Sequence, residues 1–153
     1  MSDRNRLPKV RGFDVWLLTG KTNLKVHRAL HKKLGEVGLS LAQYETLMAI
    51  YLNPGLTQKD VAADLLAVKS NVSTHLANLE KRGLLVRKTD TSDTRVKRLT
   101  LTTEGKKRVK KAFDKQNSLV RSMVSQLSDA ELKMLEDVMS RVGGGLDEIL
   151  ADD

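Results

Sequence analysis

The chain has 153 residues and no cysteine. That excludes a disulfide framework, a thiol sensor and a Cys-based zinc site. Aromatic residues are scarce: one Trp, two Tyr and two Phe. Single-strand binding by stacking of successive bases needs more. The chemistry of catalysis is thin as well. There are three His, but no His-Glu-x-x-His pair, no Gly-rich phosphate loop and no Gly-x-Ser-x-Gly turn. No enzyme activity and no cofactor are expected. Long hydrophobic runs are also missing. The apolar stretch after Arg4, Arg6, Lys9 and Arg11 covers only Val15 to Leu18. It is too short for a signal-peptide core, and nothing else would span a bilayer. A soluble cytoplasmic protein is the expectation.

What is present is positive charge, unevenly spread. The net charge is +8, from 27 basic and 19 acidic residues. Residues 1–68 carry 10 basic and 6 acidic side chains, residues 69–111 carry 13 and 4, and residues 112–153 carry 4 and 9. A localised basic segment is the electrostatic footprint of a polyanion binder, whereas a basic total by itself also serves solubility.

Periodicity orders the elements. Phe13, Trp16, Leu17, Leu24, Leu30 and Leu34 recur at helical spacing from Arg11 to about Gly35. Gly35-Glu36-Val37-Gly38 ends that helix. Ser40, with Gln43 three residues on, forms a capping-box pattern opening the next, and Asn53-Pro54-Gly55 is a turn. Thr57 and Asp60 repeat the cap logic with a shorter acid. Val61, Ala62 and Leu65 then form the inner face of a short helix. A further helix runs from about Lys69 or Ser70 to Arg82, with Val72, Leu76 and Leu79 on one side and Gly83 behind it. Leu84–Lys88 and Arg95–Thr102 read as strands joined by the polar Asp90–Thr94 tip. Thr103 to Leu127 reads as a long helix. Ser128 and Glu131 cap a last one, which Gly143-Gly144-Gly145 should break or loosen.

This order is a mostly α, α+β winged helix: a winged helix-turn-helix over residues 40–102, a helical dimerisation region over 11–36 and 103–150, and a loose arm over 1–10. The outer helices are apolar on more than one side. A monomer of this size covers that poorly, so a homodimer is expected. Two-fold symmetry would suit a palindromic site.

The helix after the turn exposes Ser70, Asn71, Ser73, Thr74, His75 and Asn78 opposite its apolar stripe. Short hydrogen-bonding side chains let a helix sit close to base edges in the major groove, while a helix serving solubility alone favours Glu, Lys and Gln. Thr57, Gln58 and Lys59 open the preceding helix, where phosphate is favoured. Arg95, two residues beyond Asp93 at the hairpin tip, suits a narrow minor groove, with Asp93 as the group that supports it. Lys97 and Arg98 read as phosphate contacts or plain surface, as does the Lys106–Lys111 run.

Together these residues resemble the MarR family of bacterial winged-helix transcription regulators. The resemblance is carried by Thr57-Gln58, Val61-Ala62, Leu65, Lys69-Ser70-Asn71-Val72-Ser73, Leu79-Glu80, Gly83-Leu84, Asp93-x-Arg95 and Leu101-Thr102-x-x-Gly105. It implies a homodimer held by the terminal helices, Ser70 to His75 in the major groove, Lys69 alongside, and Arg95 in the minor groove. It further implies a repressor released by a small aromatic or anionic effector. Trp16, Tyr44 and Tyr51 are candidates for the effector pocket, although core packing is the commoner role for such residues. Two departures stand out. The turn Leu66-Ala67-Val68 lacks a Gly, and Val68 replaces a capping Ser, so Ser70 or Asn71 either caps the helix or reads bases. His27 and His31, four apart, have metal-chelating spacing. With no Cys and only Glu36 near in sequence, a solvated or interface face is the favoured reading over a metal-responsive regulator. The alternatives in another class are a winged helix for protein contacts and a DNA-coating protein without operator preference.

Overall fold

The computed structural model describes residues 10–64 and 72–151. Residues 1–9 of the expected arm, and the Leu65–Asn71 stretch with the expected turn, Lys69, Ser70 and Asn71, lie outside the described residues. Eight elements follow one another: α1 (Phe13–Gly35), α2 (Leu41–Leu52), α3 (Gln58–Asp64), α4 (Val72–Lys81), β1 (Leu85–Thr89), β2 (Lys97–Leu101), α5 (Thr103–Val124) and α6 (Asp129–Ala151). Among the described residues no helix is long and apolar enough to cross a membrane. The chain divides into two compact units, one up to Gln116 and one from Asn117.

The first unit is built on a core of Leu34, Leu47, Ile50, Val61, Leu76, Leu79, Leu84, Leu85, Leu99 and Val109, all essentially free of solvent. All but Leu84, which follows the α4 cap, come from apolar positions that the helical or strand period turns inward. Local signals set the element ends. Ser40 caps α2 with both halves of the box: its hydroxyl accepts the Gln43 N–H at 3.2 Å, and Gln43 Oε1 accepts the Ser40 N–H at 3.1 Å. α4 ends in a Schellman arrangement, with Gly83 N–H donating to Glu80 O at 2.8 Å and Leu84 N–H donating to Leu79 O at 3.0 Å. Leu34 to Leu39 repeat that pattern at the end of α1.

β1 and β2 pair antiparallel, from Leu85 opposite Leu101 to Thr89 opposite Lys97. β1 is shifted by one residue from the expected Leu84–Lys88, and β2 is shorter than the expected Arg95–Thr102. Leu84 is consumed by the α4 cap. The tip turn, closed by Val96 N–H to Asp93 O, takes the residues before Lys97. A third extended piece joins the hairpin. Leu99 N–H donates to Leu56 O at 2.8 Å, Gly55 N–H donates to Leu99 O at 3.0 Å, and Thr57 bridges Arg98. It is too short to leave a period in the sequence.

The hairpin hands over to α5 through one hydroxyl. Thr102 Oγ1 donates to Gly83 O at 2.7 Å and accepts the Gly105 N–H at 3.0 Å. Gly105 sits hard against Leu84, the residue before β1: a Cβ there would lie 1.9 Å from Leu84 O. Only glycine permits that approach.

In the second unit α6 opens at Ser128, whose N–H donates to Glu131 Oε2 at 2.8 Å. The triple glycine does not break the helix, which runs unbroken from Asp129 to Ala151. A helical glycine costs about 1 kcal/mol against alanine, a penalty rather than a stop. The good helix formers on either side carry the ladder across. Leu135, Val138, Met139, Val142 and Leu146 remain exposed on α6.

Candidate nucleic-acid interface

The candidate interface is assembled from α3, α4 and the hairpin. α3 packs against α4 and β2, and α4 packs against β1. At the start of α3, the Thr57 N–H and hydroxyl both donate to Asp60 Oδ2 at 2.7 Å, and the Asp60 N–H donates back to Thr57 Oγ1 at 3.2 Å. The shorter acid therefore completes a full box. These bonds from Thr57 hold the Asp60 carboxyl below its usual range. The Thr57 hydroxyl is occupied inside the box, whereas Gln58 and Lys59 are exposed.

On α4, Val72, Leu76 and Leu79 are buried. Ser73 and Thr74 are exposed, and His75 is half-buried on the flank of that stripe. Asn78 is exposed but engaged, since its Oδ1 accepts from Gln43 Nε2 at 3.1 Å. Arg82 completes that cluster by donating to Gln43 Oε1 at 3.2 Å and to Gly38 O at 2.7 Å. Asn78 therefore works as a brace to α2.

The hairpin tip is organised by two aspartates. Asp93 Oδ1 accepts the backbone N–H of Arg95 at 2.9 Å, so the carboxylate shapes the chain leading into Arg95. The Arg95 side chain is exposed. Asp90 is the residue that the sequence reading passed over. Its Oδ1 accepts the N–H and hydroxyl of Ser92 and the N–H of Asp93, and its Oδ2 pairs with Arg98 Nε. The Ser92 hydroxyl foremost, then the Arg98 guanidinium, hold the Asp90 carboxyl well below the ordinary carboxylate range. Lys97 Nζ donates to Thr89 Oγ1 at 2.6 Å across the ladder.

The remaining candidates are not brought together. Trp16 is 67% exposed on α1, with its ring centroid 5.5 Å from that of Phe13. Tyr44 is buried in the core and donates to Gln116 Oε1 at 2.6 Å. Tyr51 lines a separate cavity of about 310 Å³ with Ile50, Pro54, Thr100, Lys106 and Lys110. His27 and His31 share an open hollow of about 500 Å³ with Arg28 and Leu41. Among the described residues, no group of three or more His, Asp or Glu is arranged to hold a metal ion.

Known proteins are similar to this chain in sequence and fold. Residues 37–96 match the model of the MarR family. The chain is 30% identical to a mutant of S. aureus MepR bound to an oligodeoxyribonucleotide, covering 86% of this chain and 97% of that one at a TM-score of 0.61. This chain belongs to the MarR family. MepR itself, described as a transcription regulator of the Staphylococcus aureus multidrug efflux pump MepA, is 29% identical over 84% of this chain and 96% of its own, with a TM-score of 0.72. An HTH-type transcriptional regulator of Bacillus cereus is 28% identical over 132 residues, 86% of this chain and 88% of that protein. As a MarR-family member the chain is a transcriptional regulator with a DNA-binding winged helix. The family match covers α2 to the hairpin tip and therefore includes Asp90 and Asp93. The partners of Asp90 are local and cross-strand: two serine groups, one amide and one arginine.

Proposed function

We propose that this MarR-family chain is a sequence-specific regulator of transcription that binds double-stranded DNA as a homodimer on a pseudo-palindromic operator. The observation that carries the reading is one compact head that combines the exposed Ser73 and Thr74 of α4 with the exposed, basic Arg95 at a carboxylate-shaped tip. Ser73, Thr74 and His75, continuing from Lys69, Ser70 and Asn71, are assigned to base edges and adjoining phosphates in the major groove. Arg95 is assigned to the minor groove. Gln58, Lys59 and Lys97, with Thr57 holding the start of α3, are assigned to the backbone, which positions rather than specifies.

Homodimerisation is supported by the apolar side chains left exposed on α1 (Val15, Trp16, Leu18 and Leu24) and along α6. Soluble proteins rarely leave contiguous apolar faces uncovered, and each of the two helices carries one of its own. The site of action is the cytoplasm, where the DNA is. Regulation follows as repression relieved by a small aromatic or anionic effector. Such a molecule lowers operator affinity by the ratio of its affinities for the two spacings of the reading heads.

The test is a titration of labelled duplexes at several salt concentrations. The expected result is steep salt dependence, about 0.9 in log–log slope per phosphate neutralised, together with a preference of about 10³ or more for promoter DNA over scrambled sequence. Steep salt dependence without preference would mean a DNA-coating protein. No duplex binding at low salt would mean a winged helix used for protein contacts.

A further inference from the structure

Arg98 is the point at which the hairpin meets the rest of the head. Its Nε pairs with Asp90 at the foot of the tip, and its Nη1 donates to the carbonyl of Gly55 in the α2–α3 turn at 3.1 Å. The guanidinium fork therefore bridges Asp90, 8 residues before Arg98, and Gly55, 43 residues before it. Gly55 presents that carbonyl from a left-handed backbone at φ +93°, which a side chain would strain. The backbone of Arg98 bridges Thr57 at the mouth of α3. From Asp90 the connection runs on, through the N–H groups of Ser92 and Asp93 on its other oxygen, to the Asp93 carboxylate and the N–H of Arg95. The Asp90 side chain is only 8% exposed, so its charge is spent within the hairpin. The Arg98 side chain is 49% exposed, and an arginine so placed is easily mistaken for a phosphate contact.

We propose that Arg98 is a positioning residue: it straps the hairpin tip to the α2–α3 turn, so that Arg95 and the start of α3 are held in fixed relation, and it does this without contacting DNA. The functional half of this proposal rests on the DNA-binding reading above. The strap itself does not.

The test compares Arg98→Met, Asp90→Asn and the double variant in two measurements. The first is amide hydrogen exchange of the DNA-free protein, which reports local opening. Exchange at Ser92, Asp93 and Arg95 is expected to quicken in both single variants, with the Leu79 and Leu84 amides of the core still protected as proof of folding. The second is affinity for a duplex that the wild-type protein itself recovers from a random pool, measured across salt. Each single variant is expected to bind about tenfold more weakly, with the double variant no weaker than either single one, because the pair acts as a unit. The salt slope is expected to stay unchanged. Asp90→Asn removes a negative charge, so an effect of charge alone would tighten binding instead.

A salt slope reduced by about 0.9 in Arg98→Met, with tighter binding in Asp90→Asn, would make Arg98 a phosphate contact and overturn the proposal. Unchanged exchange at the tip amides would overturn it as well. If the wild-type protein recovers no duplex, the DNA-binding reading fails, and hydrogen exchange alone still decides whether the strap exists.

Discussion

The phenol of Tyr44 on α2 donates a 2.6 Å hydrogen bond to Oε1 of Gln116 on α5, 72 residues further along the chain. The ring is packed in the core, so the bond satisfies a polar group that burial would otherwise leave at a cost. Removing the hydroxyl in Tyr44→Phe is expected to cost about 1 kcal/mol and to lower Tm by about 2–4 °C. Burial pushes the phenol up to about 12, against about 10 in an unfolded chain. The native state therefore keeps the proton longer. The contribution is complete below pH 10 and is lost as pH rises towards 12. Thermal unfolding of both proteins across that window should show the gap between them narrowing. A constant gap would mean that the phenol is not perturbed.

Gly105 touches Leu84 O so closely that no side chain fits without moving the backbone. Gly105→Ala must push the start of α5 off the hairpin. The expected loss is about 2 kcal/mol or more, read as a fall in Tm of at least about 4 °C. A variant as stable as the parent would mean that the two segments are free to separate.

Arg95→Ala is expected to weaken operator binding about tenfold and to leave the oligomeric state unchanged. Its side chain is exposed, and only its backbone N–H is engaged by Asp93. Duplex titration and size-exclusion chromatography with light scattering check the two halves separately. Unchanged affinity would remove Arg95 from the minor groove.

Gly144 lies inside an unbroken helix, and a Cβ there would meet nothing within 4 Å in this chain. Gly144→Ala should stabilise the protein by about 0.4–1 kcal/mol, chiefly by restricting the unfolded chain. Chemical denaturation measures this. A loss of stability instead would show that a second copy of α6 packs against the glycines.

The capping boxes were legible because their partners sit three residues apart. Ser40 with Gln43, Thr57 with Asp60 and Ser128 with Glu131 all form as the spacing predicts. So does the Gly83 turn after α4. The Arg98 bridge was not legible, since its two partners, Asp90 and Gly55, lie 8 and 43 residues away and neither distance has a period. The triple glycine misled for an energetic reason: three modest penalties were read as one barrier. Asn78 misled because exposure and availability differ. It faces solvent, yet Gln43 holds it.

The single hydroxyl of Thr102 reaches Gly83, where the chain enters the hairpin, and Gly105, just after it leaves. The loop between is thereby closed at its neck. Strain that arises in the tip beyond the ladder, where Asp90 holds Ser92 and Asp93, meets this neck before it reaches the start of α5. The wing can thus tilt or settle as one piece while the helices on either side of it keep their register.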